Sequence, residues 1–253
     1  MFKKFILGLT SSLIALNIST AIPLMDGELS VGYIQQKPDG WLQYKGDRID
    51  LKDNLGLDNE NKFFAKAKIE HPIPLLPNIY LQYTPMKFTG DKINVFRFDN
   101  KVFAGNVHTE LQLDHYDIGF YYNVPMLSAL TANVFEAELG LIIRIIDFQA
   151  KVSTVGQSST TDFTAPIPLL YGSLTINPFE FLSIVGEAKG ISYNSNFYYD
   201  FSGEVRYQPV SAVVFKPFVA VGYKLERLRI DNVSDVYSDI KIKQPYISIG
   251  ISF

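Results

Sequence analysis

The sequence predicts an all-β chain: a transmembrane antiparallel up-and-down β-barrel of about ten strands, preceded by a cleaved signal peptide. Three observations carry this prediction. Apolar and polar residues alternate with a two-residue period over most of the chain, interrupted by Gly, Pro, Asn and Asp turn signals. The faces opposite the apolar ones bear Lys, Arg and Glu, which cannot meet lipid, where a mid-plane lysine costs about 2–4 kcal/mol. The third observation is the amino terminus, MFKKFILGLTSSLIALNISTA, with two lysines, an apolar run from Phe5 to Leu16, and Ser19 and Ala21 at cleavage-site spacing.

That run is shorter than the ~20 residues a spanning helix needs, and no later run is longer. Residues 1–21 therefore read as the signal peptide and 22–253 as one barrel domain, with mature protein beginning near Ile22. The formal charge of −3 becomes two units more negative once Lys3 and Lys4 leave, so the chain has no basic footprint for nucleic acid. The absence of cysteine excludes disulfides, thiol nucleophiles and thiolate metal sites. At 14% the aromatic content is high, and many rings sit near strand ends, where a membrane barrel places its girdles.

Each strand can be justified in turn. The first, about Gly27 to Gln36, sets Leu29, Val31 and Tyr33 against Ser30 and Gly32, and the polar stretch Pro38 to Asn61 reads as a long external loop. In the second, Lys62 to His71, Phe63, Ala65, Ala67 and Ile69 alternate with Lys66, Lys68 and Glu70. PIPLLPN, Pro72 to Asn78, then makes a periplasmic turn. The third starts at Ile79 and runs toward Phe98 with an irregularity at Pro85. After a loop over Asp99 to Asn106, the fourth spans Val107 to Val124. There Leu111 and Leu113 are odd while Tyr116, Ile118, Phe120 and Tyr122 are even, which suggests a β-bulge near Asp114 and His115.

Met126 to Ala132 turns the chain into the fifth strand, where Phe135, Ala137, Leu139, Leu141, Ile143 and Ile145 point outward and Glu136, Glu138 and Arg144 inward. Thr154 to Thr161 reads as a flexible external loop, and the sixth strand continues through Leu174 and Ile176 to the NPFE turn, Asn177 to Glu180. The seventh covers Phe181 to Tyr193 and the eighth Phe197 to Tyr207, joined at Asn194 to Asn196. Gln208 to Pro217 leads to the ninth, with Val219, Val221, Tyr223 and Leu225 outward. Asp231 to Asp239 is its outer loop, and the tenth ends at Phe253. An even count places both termini in the periplasm. Dividing the third or fourth segment differently would give eight or twelve.

Inward charges of both signs form a candidate lumen lattice: Lys66, Lys68 and Glu70; Glu136, Glu138 and Arg144; Glu187 and Lys189; Asp200, Glu204 and Arg206; Lys224 and Glu226. Lys66 and Arg144 are expected to balance Glu70, Glu136 and Glu138. Mixed signs suit a filled interior, further bulked by Tyr80, Tyr121 and Tyr198, whereas an ion-selective pore would show a ring of one sign.

Two other groupings carry less chemistry. In LDHYD, His115 could act as a general base beside Asp114 or Asp117, but neighbouring strand residues face opposite ways and no GxSxG nucleophile motif is present. The loop acids Asp47, Asp50, Asp53 and Asp58 match no EF-hand spacing. No catalytic residue, metal ligand or cofactor is expected.

The carboxy-terminal PYISIGISF, with Ile247, Ile249, Ile251 and the aromatic Phe253 on one parity, resembles the terminal strand that outer-membrane β-barrels present to their insertion machinery. IEHPIPLLPN (Ile69 to Asn78), LDHYDIGFYYNV (Leu113 to Val124) and APIPLLYGSL (Ala165 to Leu174), with ISIGISF, resemble one proteobacterial family of small outer-membrane barrels that has no established activity. The resemblance runs over nearly the whole mature chain. It implies a Gram-negative outer-membrane location, contact with outer-membrane lipid and lipopolysaccharide, and periplasmic chaperones and the barrel-assembly machinery as partners in biogenesis, with any external ligand unknown. The expected function is non-enzymatic, structural or loop-mediated at the cell surface, with a largely filled lumen. A narrow channel for small solutes is the alternative, and an outer-membrane hydrolase a third.

Overall fold

The structure is a computed structural model and describes residues 25–73, 75–209, 215–233 and 235–253. The signal peptide over 1–21 and the mature start near Ile22 lie outside these residues. The described chain closes into an antiparallel barrel of ten staves: β1 (Asp26–Tyr44), β2 (Glu60–Glu70), β3 in two pieces (Asn78–Thr84 and Lys87–Phe98), β4 (Lys101–Asn123), β5 (Phe135–Thr154), β6 (Gln157–Phe179), β7 (Leu182–Tyr193), β8 (Asn196–Tyr207), β9 (Lys216–Val233) and β10 (Val236–Ser252). Each pairs with the next, and β10 returns to pair with β1 from Glu28↔Ser252 to Tyr44↔Val236. Both described ends of the chain lie at one rim, the terminus rim, together with a short helix α1 (Leu127–Leu130).

Pro85 explains the break in β3. It has no N–H for the ladder, so regular pairing is interrupted at Pro85 and Met86, although Met86 O still accepts from Leu113 N at 2.7 Å, and resumes in the same register, Thr84↔His115 below and Lys87↔Gln112 above.

An apolar exterior belt surrounds the half of the barrel nearer the terminus rim. On β9 it runs from Pro217 to Leu225, nine residues, within the ~9–11 a tilted strand needs to cross a bilayer. Leu29, Val31 and Tyr33 on β1, Ile118 and Phe120 on β4, and Ile247, Ile249 and Ile251 on β10 continue it, all exposed. Outward aromatics edge the belt at both heights. Tyr33, Phe63, Tyr83, Tyr116 and Tyr223 stand at its far edge, and Tyr122, Phe179, Phe181 and Tyr207 near the terminus rim.

Beyond the belt the strands continue, and their polarity inverts. On β4 odd residues stay inward without interruption from Val107 to Tyr121, so Leu111 and Leu113 point into the barrel while Gln112 and Asp114 face out. The β4–β5 register is unbroken from His108↔Ser153 to Asn123↔Glu138. The bulge expected near Asp114 and His115 is therefore absent. The apolar residues change face because the surroundings change, from lipid-like belt outside to apolar core inside. The same inversion falls between Ile145 and Ile146 on β5, Leu225 and Leu228 on β9, and Pro245 and Ile242 on β10. Register irregularities occur elsewhere, at Ile176/Phe179 and Ile230/Val233.

These long strands also replace most of the expected loops. β1 continues to Tyr44, so only 45–59 of the Pro38 to Asn61 segment connects β1 to β2. The Asp99 to Asn106 and Thr154 to Thr161 loops shrink to short turns between paired strands, and within Asp231 to Asp239 β9 continues to Val233 and β10 begins at Val236. β6 runs through Asn177 to Phe179, and β9 begins at Lys216, while 210–214 of the Gln208 to Pro217 turn lie outside the described residues.

Candidate functional site

The interior is the candidate site, and it is filled in two layers of opposite chemistry. Within the belt, the inward positions of seven staves bring charges together away from water. Arg144 on β5 is fully buried; its Nε donates to Asp117 Oδ1 at 2.6 Å, and its Nη2 donates to Asp117 Oδ2 and Asp200 Oδ2, both at 2.7 Å. Its Nη1 donates to the Tyr198 hydroxyl, which donates onward to Glu226 at 2.9 Å. Lys189 pairs with Asp117 at 2.9 Å, and Lys224 bridges Asp200 at 3.2 Å and Glu226 at 2.6 Å.

Nearer the terminus rim, Glu187 joins Lys66 at 3.2 Å and Lys68 at 3.5 Å. Lys66 also meets Glu28 at 3.5 Å, and Arg206 clamps Glu28 through Nη1 at 2.6 Å and Nη2 at 3.1 Å while pairing with Glu204. Lys68 closes on Glu138 at 2.7 Å. Six cations thus interleave with seven carboxylates, an arrangement that satisfies buried charge and offers no ring of one sign to select an ion. Tyr80, Tyr121 and Tyr198 lie inside, all buried.

Three sequence-based assignments differ in detail. Glu136 is exposed at the terminus rim, where it accepts from Asn177 at 3.0 Å, and Glu70 sits half-buried there, accepting from Tyr121 and Asn123. Neither belongs to the buried pairs. Lys66 and Arg144 consequently balance Glu28, Glu187, Asp117 and Asp200, and not Glu70, Glu136 and Glu138. Glu28 and Asp117 were the missed members. Their signal was parity: Glu28 shares a face with Ser30 and Gly32, and Asp117 alternates with Tyr116 and Ile118.

Above the lattice lies an apolar layer. The connection 45–59 folds into the barrel mouth, burying Ile49, Leu51, Leu55 and Leu57 against Phe88, Phe96, Phe98, Phe103, Leu111, Val152 and Ile240. Its backbone also patches the edge of β3 that no strand covers: Asp58 N donates to Thr89 O, Asp47 N to Arg97 O, and Leu57 bridges Gly90. Gly90 is required for that approach, since a Cβ there would lie 2.5 Å from Leu55 O. The spaces left between side chains measure about 30 Å³ in the lattice and about 20 and 10 Å³ in the apolar layer, room for single waters.

His115 sits between the two layers. It faces inward and Asp114 outward, so the two do not meet. Its Nδ1 is 3.2 Å from Leu113 O, and its Nε2 has no hydrogen-bond partner among the described residues, with Glu226 Oε1 at 3.7 Å. Asp117 is committed to Arg144 and Lys189. The space adjoining His115 measures about 20 Å³, room for a single water. Among the loop acids, Asp47 accepts from Arg97 N, and Asp50 accepts from Lys52 N and Asp53 N.

No family model matches the chain, and no curated protein matches it. Solved structures do. The outer membrane protease OmpT of Escherichia coli is 11% identical, over 91% of this chain and 96% of that one, with a TM-score of 0.47. The translocator domain of the autotransporter NalP from Neisseria meningitidis is 9% identical over 90% and 88%, with a TM-score of 0.44. The attachment invasion locus protein Ail of Yersinia pestis is 12% identical over 90% and 98%, with a TM-score of 0.34.

Proposed function

We propose that this chain is a non-enzymatic, non-conducting barrel of a Gram-negative outer membrane, and that its work is done at the face it presents beyond the belt. The observation that carries this is the doubly filled interior. A solute would have to break ion pairs in the lower layer and then displace a folded apolar layer in the upper one. The exterior belt supports the location, since so continuous a ring of exposed Leu, Ile, Val and Phe would drive aggregation in water. On this reading the terminus rim faces the periplasm and the far rim the outside.

The assembly signal is the seam itself. Ile247, Ile249 and Ile251 face outward, and Phe253 exchanges backbone hydrogen bonds with Gly27, its N donating to Gly27 O at 3.0 Å and its O accepting from Gly27 N at 2.7 Å. The strand offered to the insertion machinery is thus the one that closes the barrel.

Fractionation of cells expressing the chain, followed by solute uptake into liposomes carrying the purified protein, tests the proposal. It expects recovery with the outer membrane and liposomes that exclude small sugars and amino acids. Uptake falling smoothly with solute size would instead support the narrow channel.

A further inference from the structure

Immediately above the belt, the outward face of the barrel is divided by charge. On β8, β9, β10 and β1 the register sets three rows side by side: Phe201, Leu225, Lys243 and Lys37; then Tyr199, Arg227, Lys241 and Asp39; then Phe197, Arg229, Asp239 and Trp41. Five cations stand against two acids. Arg48 adds a sixth cation, lying 4.0 Å over the Trp41 ring, with Asp50 paired opposite that tryptophan through the two-residue strand Ile49–Asp50 of the connection 45–59. On the opposite side, the outward positions of β3 to β6 give Asp91, Glu110, Asp114, Asp147 and Asp162 against Lys87, Lys151 and His108. The rim therefore has a basic and an acidic sector at one height.

The basic sector is not neutralised by its own acids. Asp239 is taken by the Arg227 fork, at 2.8 and 2.7 Å, and Asp39 by Lys243 at 3.2 Å. Lys37, Lys241 and Arg229 form no ion pair among the described residues. Lys37 and Lys243 are directly opposed across the β1–β10 seam, an arrangement that destabilises a sheet unless an anion lies between the two ammonium groups. Below them Tyr33, Phe63, Tyr223 and Pro245 form the far edge of the belt, so the cations stand at headgroup height with acyl-compatible surface beneath.

We propose that the outward face of β8, β9, β10 and β1 above the belt binds the phosphate groups of an outer-leaflet glycolipid. The proposal rests on the outer-membrane reading for its orientation. Lys37, Lys241 and Lys243 supply point charges around a phosphate, Arg229 a planar fork, and the aromatic and proline side chains below receive the first acyl carbons. The acidic sector repels the same headgroup, which fixes the lipid to one side of the barrel.

The test measures lipid retained by purified, folded protein in detergent micelles, using native mass spectrometry with bisphosphorylated lipid A, the same lipid after phosphatase treatment, and phosphatidylglycerol. The chain should retain bisphosphorylated lipid A at least ten-fold better than either other lipid, and lose it as salt rises. Lys37→Gln with Lys241→Gln and Lys243→Gln should cut retention about ten-fold, while Lys87→Gln with Lys151→Gln on the opposite sector should leave it unchanged. Heat-modifiable mobility on gels confirms that each variant is folded, and Lys241→Gln alone, expected to lose about three-fold, serves if the triple variant is not. Equal retention of the dephosphorylated lipid or of phosphatidylglycerol, or a folded triple variant that binds like the parent, overturns the site. Fractionation away from the outer membrane would instead refute the location, a result the micelle measurement does not depend on.

Discussion

Arg144 is the residue on which most of the interior converges. Its guanidinium meets Asp117, Asp200 and Tyr198 with no exposure, so removing it leaves Asp117 to Lys189 alone and Asp200 to Lys224 alone. Breaking a buried pair in this way costs about 3–5 kcal/mol, because the abandoned carboxylates keep their desolvation penalty. Arg144→Met should therefore lower the urea unfolding midpoint in detergent by that equivalent. Arg144→Lys should recover only part of it, since an ammonium cannot reproduce the fork. An unchanged midpoint for Arg144→Met would show that the lattice contributes little. Outside the belt, hydrogen bonds from Lys151 and Lys87 hold the Glu110 carboxyl down at about 2, against an ordinary value of 4.5. Because the folded value is the depressed one, this contribution is complete above pH ~4.5 and disappears as pH falls through about 2. Lys151→Ala should raise the Glu110 midpoint toward 4.5 in a carbon-13 NMR titration, and a midpoint that stays near 2 would contradict the contact.

At the scale of elements, the connection 45–59 behaves as part of the core and not as a solvated loop. Gly90→Val would drive a side chain into the Leu55 and Gly56 backbone, so the segment must move out. Trypsin should then cut at Lys52, which the parent protects by holding Leu51 and Leu55 inside, and equal protection in both proteins would refute this packing. At the seam, Phe253→Asp should leave export intact but reduce the folded, heat-modifiable species, and a normal folded yield in cells would show that Phe253 carries no assembly information. The lower barrel was legible because charge and parity agree there: Lys66, Lys68, Arg144, Glu187 and Lys224 could only face inward if their neighbours met lipid. The upper barrel was not, because a two-residue period says that one face is wet and the other dry without saying which is inside. Leu111 and Leu113 on one parity and Tyr116 and Ile118 on the other looked like a bulge, yet they record a change of solvent along a straight strand. Asp, Asn and Gly likewise made 45–59 look external, while its Ile49, Leu51, Leu55 and Leu57 form the inner layer.

Across the whole molecule, the two halves solve opposite problems with one continuous sheet. Within the belt the outside is apolar and the inside carries charge, which must pair. Beyond it the outside is polar and the inside is an apolar core like that of a water-soluble protein. The lattice alone could admit water, and the apolar layer alone could be breached by movement of 45–59. Together they fill the lumen at two heights. The charge-divided rim adds an orientation to this plug, with basic strands on one side and acidic strands on the other. The most direct measurement of the central claim is single-channel recording of the purified protein in planar bilayers. The sealed interior predicts a flat baseline for the parent, and intermittent openings only when both layers are disturbed, as in Gly90→Val combined with Arg144→Met. A large, steady conductance from the unmodified protein would contradict it.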